Sequence, residues 1–200
     1  MKLFCFPHAG GGSLAFRGWR HPDDALEIVP VVLPAREARW GEPMPATMAD
    51  LVTSLVNELG DQFHGTYGFF GHSFGSGVAY ELTCTLLDLG LTPPQILAVS
   101  GRRAPNRPAN RPPVHNASDE VFLGYLKELG GIPDEVLQHP PLLRTFLPTL
   151  RSDFAIHETY TPASAPKIPV PISAFTGAAD QAVSVVDVLA WRDVAAGAFR

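Results

Sequence analysis

The residues with the greatest chemical potential form the run Gly71-His72-Ser73-Phe74-Gly75. A serine hydroxyl attacks a carbonyl only when a base takes its proton and donors receive the charge that builds on the carbonyl oxygen. The G-x-S-x-G spacing meets the second need when the serine sits on a sharp strand-to-helix turn. The turn lifts the hydroxyl above the sheet edge, and the N–H that follows the serine, here that of Phe74, is aimed at the developing oxyanion. The flanking sequence supplies this context. Tyr67-Gly68-Phe69-Phe70 reads as a short buried strand, and Val78, Leu82, Leu86 and Leu89 recur at spacings of four, four and three, one face of a helix that Gly90 stops. Outside such a context the same serine is an ordinary turn residue.

A second donor must come from a loop after an earlier strand. Pro7-His8-Ala9-Gly10-Gly11-Gly12 follows an apolar strand-like segment, and its glycines let the backbone approach a ligand. It is no phosphate loop, because no Gly-Lys-Ser/Thr follows; a flexible turn is the alternative. Asp180, reached from the segment Val170–Phe175 through Thr176-Gly177-Ala178-Ala179, is placed to orient a histidine, with a capping or solvated carboxylate as the alternative. Asp187 and Asp193 fall in the helix expected beyond it. In enzymes of this order the base follows the acid, yet no histidine follows Asp180. The seven histidines are His8, His21, His64, His72, His115, His139 and His157. His72 adjoins the nucleophile, where a neighbouring elbow residue points away from the hydroxyl and reads as structural. His8 lies in the glycine-rich loop. His115, His139 and His157 fall in a helical insertion, where packed or solvated histidine is the default.

The elements that must position these groups can be read along the chain. Strands are expected at Leu3–Pro7, Glu27–Pro34, Gln95–Ser100 and Val170–Phe175, besides the one before the serine. Met48, Leu51, Leu55 and Leu59 are spaced three, four and four, which predicts a helix over Thr47–Leu59 ended by Gly60. Strand and helix alternate, the pattern of an α/β fold with a mostly parallel sheet. From about 102 to 165 the alternation breaks. Arg102–Pro113 is a loop rich in Pro, Arg and Asn; Ser118 caps a helix to Leu129; Pro133-Asp134 opens another short helix; and the stripe Leu142, Leu143, Phe146, Leu147, Leu150 and Phe154 continues with a kink expected at Pro148. An insertion here falls beyond the carboxyl ends of the strands, where ligands bind in open sheets, and so reads as a lid.

Composition bounds the rest. Two hundred residues suit one domain, 46% hydrophobic and 18% charged residues describe a globular chain, and a net charge of −5 argues against nucleic acid as partner. No apolar run reaches the roughly 20 residues that span a bilayer, and the N-terminus carries neither a signal-length apolar core nor a cleavage-type site. A cytoplasmic location follows as an expectation. Cys5 and Cys84 fit it as buried free thiols, and no disulfide or metal site is expected.

With these residues in hand, the chain resembles the type II thioesterases, stand-alone α/β-hydrolases that accompany polyketide synthases and non-ribosomal peptide synthetases. The resemblance rests on Leu3-Phe4-Cys5-Phe6-Pro7-His8-Ala9-Gly10-Gly11, Gly71-His72-Ser73-Phe74-Gly75, Ser100-Gly101-Arg102 with Ala104-Pro105, Leu129-Gly130-Gly131, Leu147–Phe154 including Arg151 and Asp153, and Gly177–Asp180 with Trp191 after it. It implies a single α/β-hydrolase domain over 1–200, Ser73 as nucleophile, Asp180 as triad acid, and the N–H groups of Ala9 and Phe74 as oxyanion donors. It also implies a final strand, a Gly-His turn and a helix beyond Arg200. The triad histidine would lie there, so the expectation is a truncated form or one not competent in the ordinary way, with core surface exposed around Trp191.

The reaction implied is hydrolysis of an acyl thioester on the phosphopantetheine arm of an acyl or peptidyl carrier protein, with no cofactor of the enzyme's own and a monomer as the working unit. Arg102, Arg103, Arg107 and Arg111 cluster in the lid-entry loop and are candidates for docking an acidic carrier, solvated arginines being the alternative. Two other readings stay open: a general serine esterase or acyltransferase of the same fold, and a carrier-binding fragment without turnover.

Overall fold

The alternating apolar signals resolve into a five-stranded sheet, all parallel, in the order β2-β1-β3-β4-β5. The strands are β1 (Lys2–Phe6), β2 (Glu27–Pro30), β3 (Tyr67–His72), β4 (Leu97–Ser100) and β5 (Ile172–Phe175). The structure is a computed structural model that describes residues 1–22, 25–109, 111–130, 139–162, 164–180 and 182–200. Phe6 lies opposite Gly71, His72 opposite Ser100, and Ser100 opposite Phe175. Four strands therefore finish level at their carboxyl ends. β1 connects to β2 on one side and pairs with β3 on the other, so the strand order reverses beside β1 and a crevice opens above it.

Helix α1 (Met48–Leu59) starts with a reciprocal capping box between Thr47 and Asp50 and buries Met48, Leu51, Val52 and Leu55. Helix α2 (Phe74–Asp88) follows β3 directly and is buried on nearly every side. Gly90 ends it at φ +68°, with the Gly90 N–H on Leu87 O and the Leu91 N–H on Leu86 O. Beneath α1 and α2, Phe4 packs edge-on against Phe63, Tyr67 and Phe69, with ring centroids 5.1 to 6.1 Å apart.

Between β4 and β5 lie α3 (Asp119–Glu128), capped by Ser118, and α4 (Pro140–Thr159). The helix α4 runs on through Pro148, because Leu147, Leu150 and Phe154 pack continuously against Phe122 and Leu126 of α3. The short helix expected at Pro133-Asp134 lies outside the described residues. After β5 come α5 (Val185–Leu189) and a 3₁₀ turn over Ala190–Val194.

One expected boundary needs correction. β2 stops at Pro30 rather than Pro34: the Val31 N–H still bonds Cys5 O at 2.9 Å, and the register with β1 ends there, the buried Val31 and Leu33 continuing into the core instead of into the ladder. Beyond the named strands, the Ile172 N–H bonds Ala198 O, the Arg200 N–H bonds Ile172 O, and Phe199 bridges Ile172 in parallel, so residues 198–200 lie along the outer edge of β5. Trp191 itself is 0% accessible, packs on Tyr80, and donates its indole N–H to Arg102 O at 2.9 Å, while apolar surface around it is open. The apolar residues open to solvent in this region are Phe175, Val185, Val186 and Leu189. Both cysteines are buried and free, and burial pushes each thiol up to about 12. No described helix is long and apolar enough to cross a membrane.

Candidate active site

Ser73 stands between β3 and α2 with φ 52° and ψ −115°, a conformation that only a tightly determined turn enforces on a residue with a Cβ. Its own N–H bonds Ser100 O at 2.7 Å, which ties the elbow to β4. The flanking glycines are required by close backbone approach. A Cβ on Gly71 would stand 2.5 Å from Gly75 C and Ser76 N, and one on Gly75 would stand 2.5 Å from Phe6 C. Sequence reasoning missed Ser76, which locks the underside of the turn. Its buried hydroxyl donates to Gly71 O at 2.8 Å and accepts the Ser100 N–H at 3.1 Å. A hydroxyl one position after the second glycine was the available cue.

The donors expected for the oxyanion meet at this end of the sheet. Phe74 is the first residue of α2, so its N–H has no partner within the helix and lies at the positive end of the helix dipole. Ala9 lies in the loop that leaves the neighbouring strand β1. That loop is held in a tight turn by the Gly11 N–H on His8 O at 2.9 Å, with Gly10 at φ +72°.

Asp180 follows β5 on a turn closed by its own N–H to Gly177 O at 3.1 Å. Its Oδ1 accepts the N–H groups of Ala182 at 2.8 Å and Val183 at 3.1 Å. The other oxygen is turned toward Gly101 and His72: a Cβ on Gly101 would lie 3.9 Å from Asp180 Oδ2 and 2.9 Å from His72 Cε1. The structure thus brings the elbow, the glycine-rich loop and Asp180 to one edge of the sheet.

The hydrogen bonds described for four of the histidines lead away from Ser73. His72 Nδ1 meets Ser100 Oγ at 3.2 Å, His64 Nδ1 meets Asp61 O at 2.8 Å, His115 Nδ1 pairs with Glu158 at 2.6 Å, and His157 Nδ1 meets Arg102. Burial holds His157 well below the ordinary histidine value, and Arg102 and Arg103 push the same way. Desolvation also lowers His72, with Asp180 opposing. His8 is lowered chiefly by burial, and its ring lies 6.2 Å from that of His72.

The arginine cluster divides. Arg102 is only 5% accessible, and its guanidinium lies between His157, the Tyr160 ring and Gly77, so it is corrected from docking residue to core residue. Its burial lowers its pKa to about 10. Arg103 is half-buried and Arg107 exposed; Arg111 is exposed and lies over the Tyr125 ring.

Sheet, elbow and helical insertion together place the fold among the α/β-hydrolases, and within them the sequence is more specific. The chain belongs to the thioesterase domain family, whose model matches residues 1–200. It is 34% identical over 195 residues to the gramicidin S biosynthesis protein GrsT of Aneurinibacillus migulanus, covering 96% of this chain and 76% of that protein. Among solved structures it is similar to the RedJ thioesterase of the prodiginine pathway in Streptomyces coelicolor, with a TM-score of 0.92, 37% identity, and 100% and 79% of the two chains covered. YbtT, a type II thioesterase of the yersiniabactin NRPS/PKS pathway, gives 0.86 and 31% identity over 98% of this chain and 81% of its own.

Proposed function

We propose that this thioesterase hydrolyses acyl thioesters carried on the phosphopantetheine arm of acyl or peptidyl carrier domains, and so edits a polyketide or non-ribosomal peptide assembly line. The observation that carries the reading is the strained elbow of Ser73, with the Phe74 N–H and the Ala9 loop beside it. Ser73 Oγ adds to the thioester carbonyl, and the N–H groups of Phe74 and Ala9 receive the oxyanion. Collapse breaks the C–S bond, and the pantetheine thiol departs with the serine's proton. Water then adds to the acyl-serine and releases the carboxylic acid. Asp180 is the carboxylate placed to orient a triad histidine, a base that none of the histidine hydrogen bonds described above supplies. The partner brings the pantetheine arm, so the enzyme needs no cofactor of its own. Helices α3 and α4 border the acyl group, and the accessible Arg107 with half-buried Arg103 faces an acidic carrier.

A second reading is a carrier-binding chain without turnover. It is favoured by the described hydrogen bonds of the histidines, which lead to residues other than Ser73. One pair of measurements separates the two. Rapid labelling of Ser73 by a fluorophosphonate, with faster hydrolysis of a carrier-bound thioester than of a small oxyester, supports the thioesterase. Carrier binding with no labelling supports the second reading, and preference for the oxyester indicates a general esterase.

A further inference from the structure

Among the described residues, the non-glycines with positive φ are Ala35 at 62°, Glu37 at 46° and Ser73 at 52°. The elbow accounts for Ser73. The other two flank Arg36 in the loop after β2, and nothing in the reaction itself requires them to be strained. Such conformations persist only where the surroundings over-determine them, and they gather at functional sites.

Between these two residues Arg36 is buried. Its side chain is 9% and that of Asp153 4% accessible, and the two form a parallel fork, Nη1 to Oδ2 and Nη2 to Oδ1, both at 2.8 Å. The pair grips the glycine-rich loop on both sides. Arg36 Nη1 also donates to Gly11 O at 3.0 Å, and the Gly10 N–H donates to Asp153 Oδ2 at 2.7 Å. Glu37 adds a third hold by accepting the Ser13 N–H at 2.8 Å, and its Cδ would stand 2.9 Å from a Cβ on Gly12. From α4, Leu150 packs on Gly10 so closely that a Cβ there would lie 2.8 Å from Leu150 Cγ.

These contacts fix the peptide that matters. The Ala9 N–H belongs to the same planar unit as the His8 carbonyl, and that carbonyl is turned into the loop by the Gly11 N–H. In a trans peptide the N–H points opposite to the C=O, so the Ala9 N–H is directed out of the turn. The next peptide is pinned through the Gly10 N–H to Asp153.

We propose that Arg36 and Asp153 are positioning residues for the oxyanion loop: their buried ion pair holds the two peptides around Ala9 in the orientation that presents its N–H to the reacting carbonyl before substrate arrives. The proposal rests on the reading of Ser73 as nucleophile. It gives the helical insertion a second task, since Asp153 belongs to α4: the insertion sets the geometry of the hole as well as bordering the acyl group. Transition-state charge, rather than ground-state binding, is what such a device serves.

The test uses the 200-residue chain and its Arg36→Lys, Asp153→Asn and milder Glu37→Gln variants, at a temperature where each is folded by circular dichroism. Lysine keeps the charge but loses the fork. Expected are faster amide exchange at Gly10, a fall of about 10- to 100-fold in Ser73 phosphonylation and in kcat for an activated ester, and a KM within about twofold of the parent. Exchange that speeds up while kcat and labelling stay unchanged overturns the proposal, because the pair is then only structural. A rise in KM at constant kcat overturns it as well. If the parent chain reacts with neither probe, the reading of Ser73 fails and the proposal falls with it; that outcome is told apart from failure of the clamp, in which the parent reacts and the variants keep its kcat and labelling.

Discussion

Replacing Gly75 with alanine tests how the elbow is built. The new Cβ would lie 2.5 Å from Phe6 C and 2.6 Å from Pro7 O, where ordinary contact begins at 3.4 Å. Both are backbone atoms and Phe6 O is nearer still, so no side chain can rotate away, and α2 must retreat from the end of β1 by more than about 0.9 Å to reach that contact. Overpacking of this kind costs about 3 kcal/mol, the upper end of the usual range. In a chain of this length that lowers Tm by about 6–12 °C. The same retreat carries the Phe74 N–H away from the Ala9 loop, and a misplacement of about 1 Å slows a positioned reaction about 100-fold. Gly124 is the control: it lies on the exposed face of α3 with nothing within 4 Å of its Cβ position, so alanine there should stabilise by about 0.5–1 kcal/mol. Urea and thermal unfolding give the stabilities, and fluorophosphonate labelling below both transitions gives the reactivity. A Gly75→Ala chain within about 1 kcal/mol of the parent, or one labelled at the parental rate, would refute the reasoning.

Other substitutions probe separate parts. Ser73→Gly should abolish labelling and raise stability by about 1 kcal/mol, since glycine relieves the positive φ, whereas Ser73→Ala should abolish labelling without that gain. His157 is held well below 6.5, so the unfolded chain takes up its proton first. Its contribution is whole above about pH 6.5 and is lost as pH falls, by up to about 1.4 kcal/mol at pH 5.5; urea midpoints of His157→Phe should fall less between pH 7.5 and 5.5 than those of the parent, and an equal fall would sink the assignment. Trp191→Phe leaves the buried Arg102 carbonyl without its donor and opens a void, for a loss of about 2–4 kcal/mol by urea unfolding, while Trp40→Phe at the surface should stay within about 0.5 kcal/mol. Asp153→Asn should cost about 3–5 kcal/mol by leaving Arg36 buried without its charge partner, and Asp180→Asn no more than about 1 kcal/mol; equal losses would contradict the difference in anchoring.

What the sequence disclosed and what it hid divide along sequence distance. The elbow, the glycine-rich loop, the caps at Thr47 and Ser118 and the stop at Gly90 are local: each is a few neighbouring residues whose backbone demands are legible at once. The end of β2 is hidden because apolar Val31 and Leu33 continue the strand's composition and both are buried, yet burial in the core does not require pairing, and the register with β1 ends at Pro30. Arg102 reads with its loop neighbours as a surface cation, and only the fold reveals that Trp191, His157 and Tyr160 close over it. The pair Arg36–Asp153 spans 117 positions, beyond the reach of any periodicity. One cue was present: Asp153 stands beside Phe154 and three residues after Leu150, a carboxylate on the apolar stripe of α4, and a charge on a buried stripe calls for a partner.

The two halves of the site are held by different means, and this explains how a strained turn survives at the end of the sheet. The elbow and the Ala9 loop are tied across elements: Ser76 of α2 links the turn to Ser100 of β4, and Arg36 and Asp153 meet behind the loop. Their bonds are shielded from water and answer to the whole fold, so they can hold Ala35, Glu37 and Ser73 in conformations that isolated residues would leave. Asp180 is held by its own turn, through N–H groups two and three residues on. A carboxylate anchored that locally can shift with its loop at little cost to the fold, whereas the donors cannot. The oxyanion donors must be fixed before charge appears, since reorganising them during the reaction would forfeit their benefit. The acid needs only to follow the base it orients, and its looser mooring suits that task.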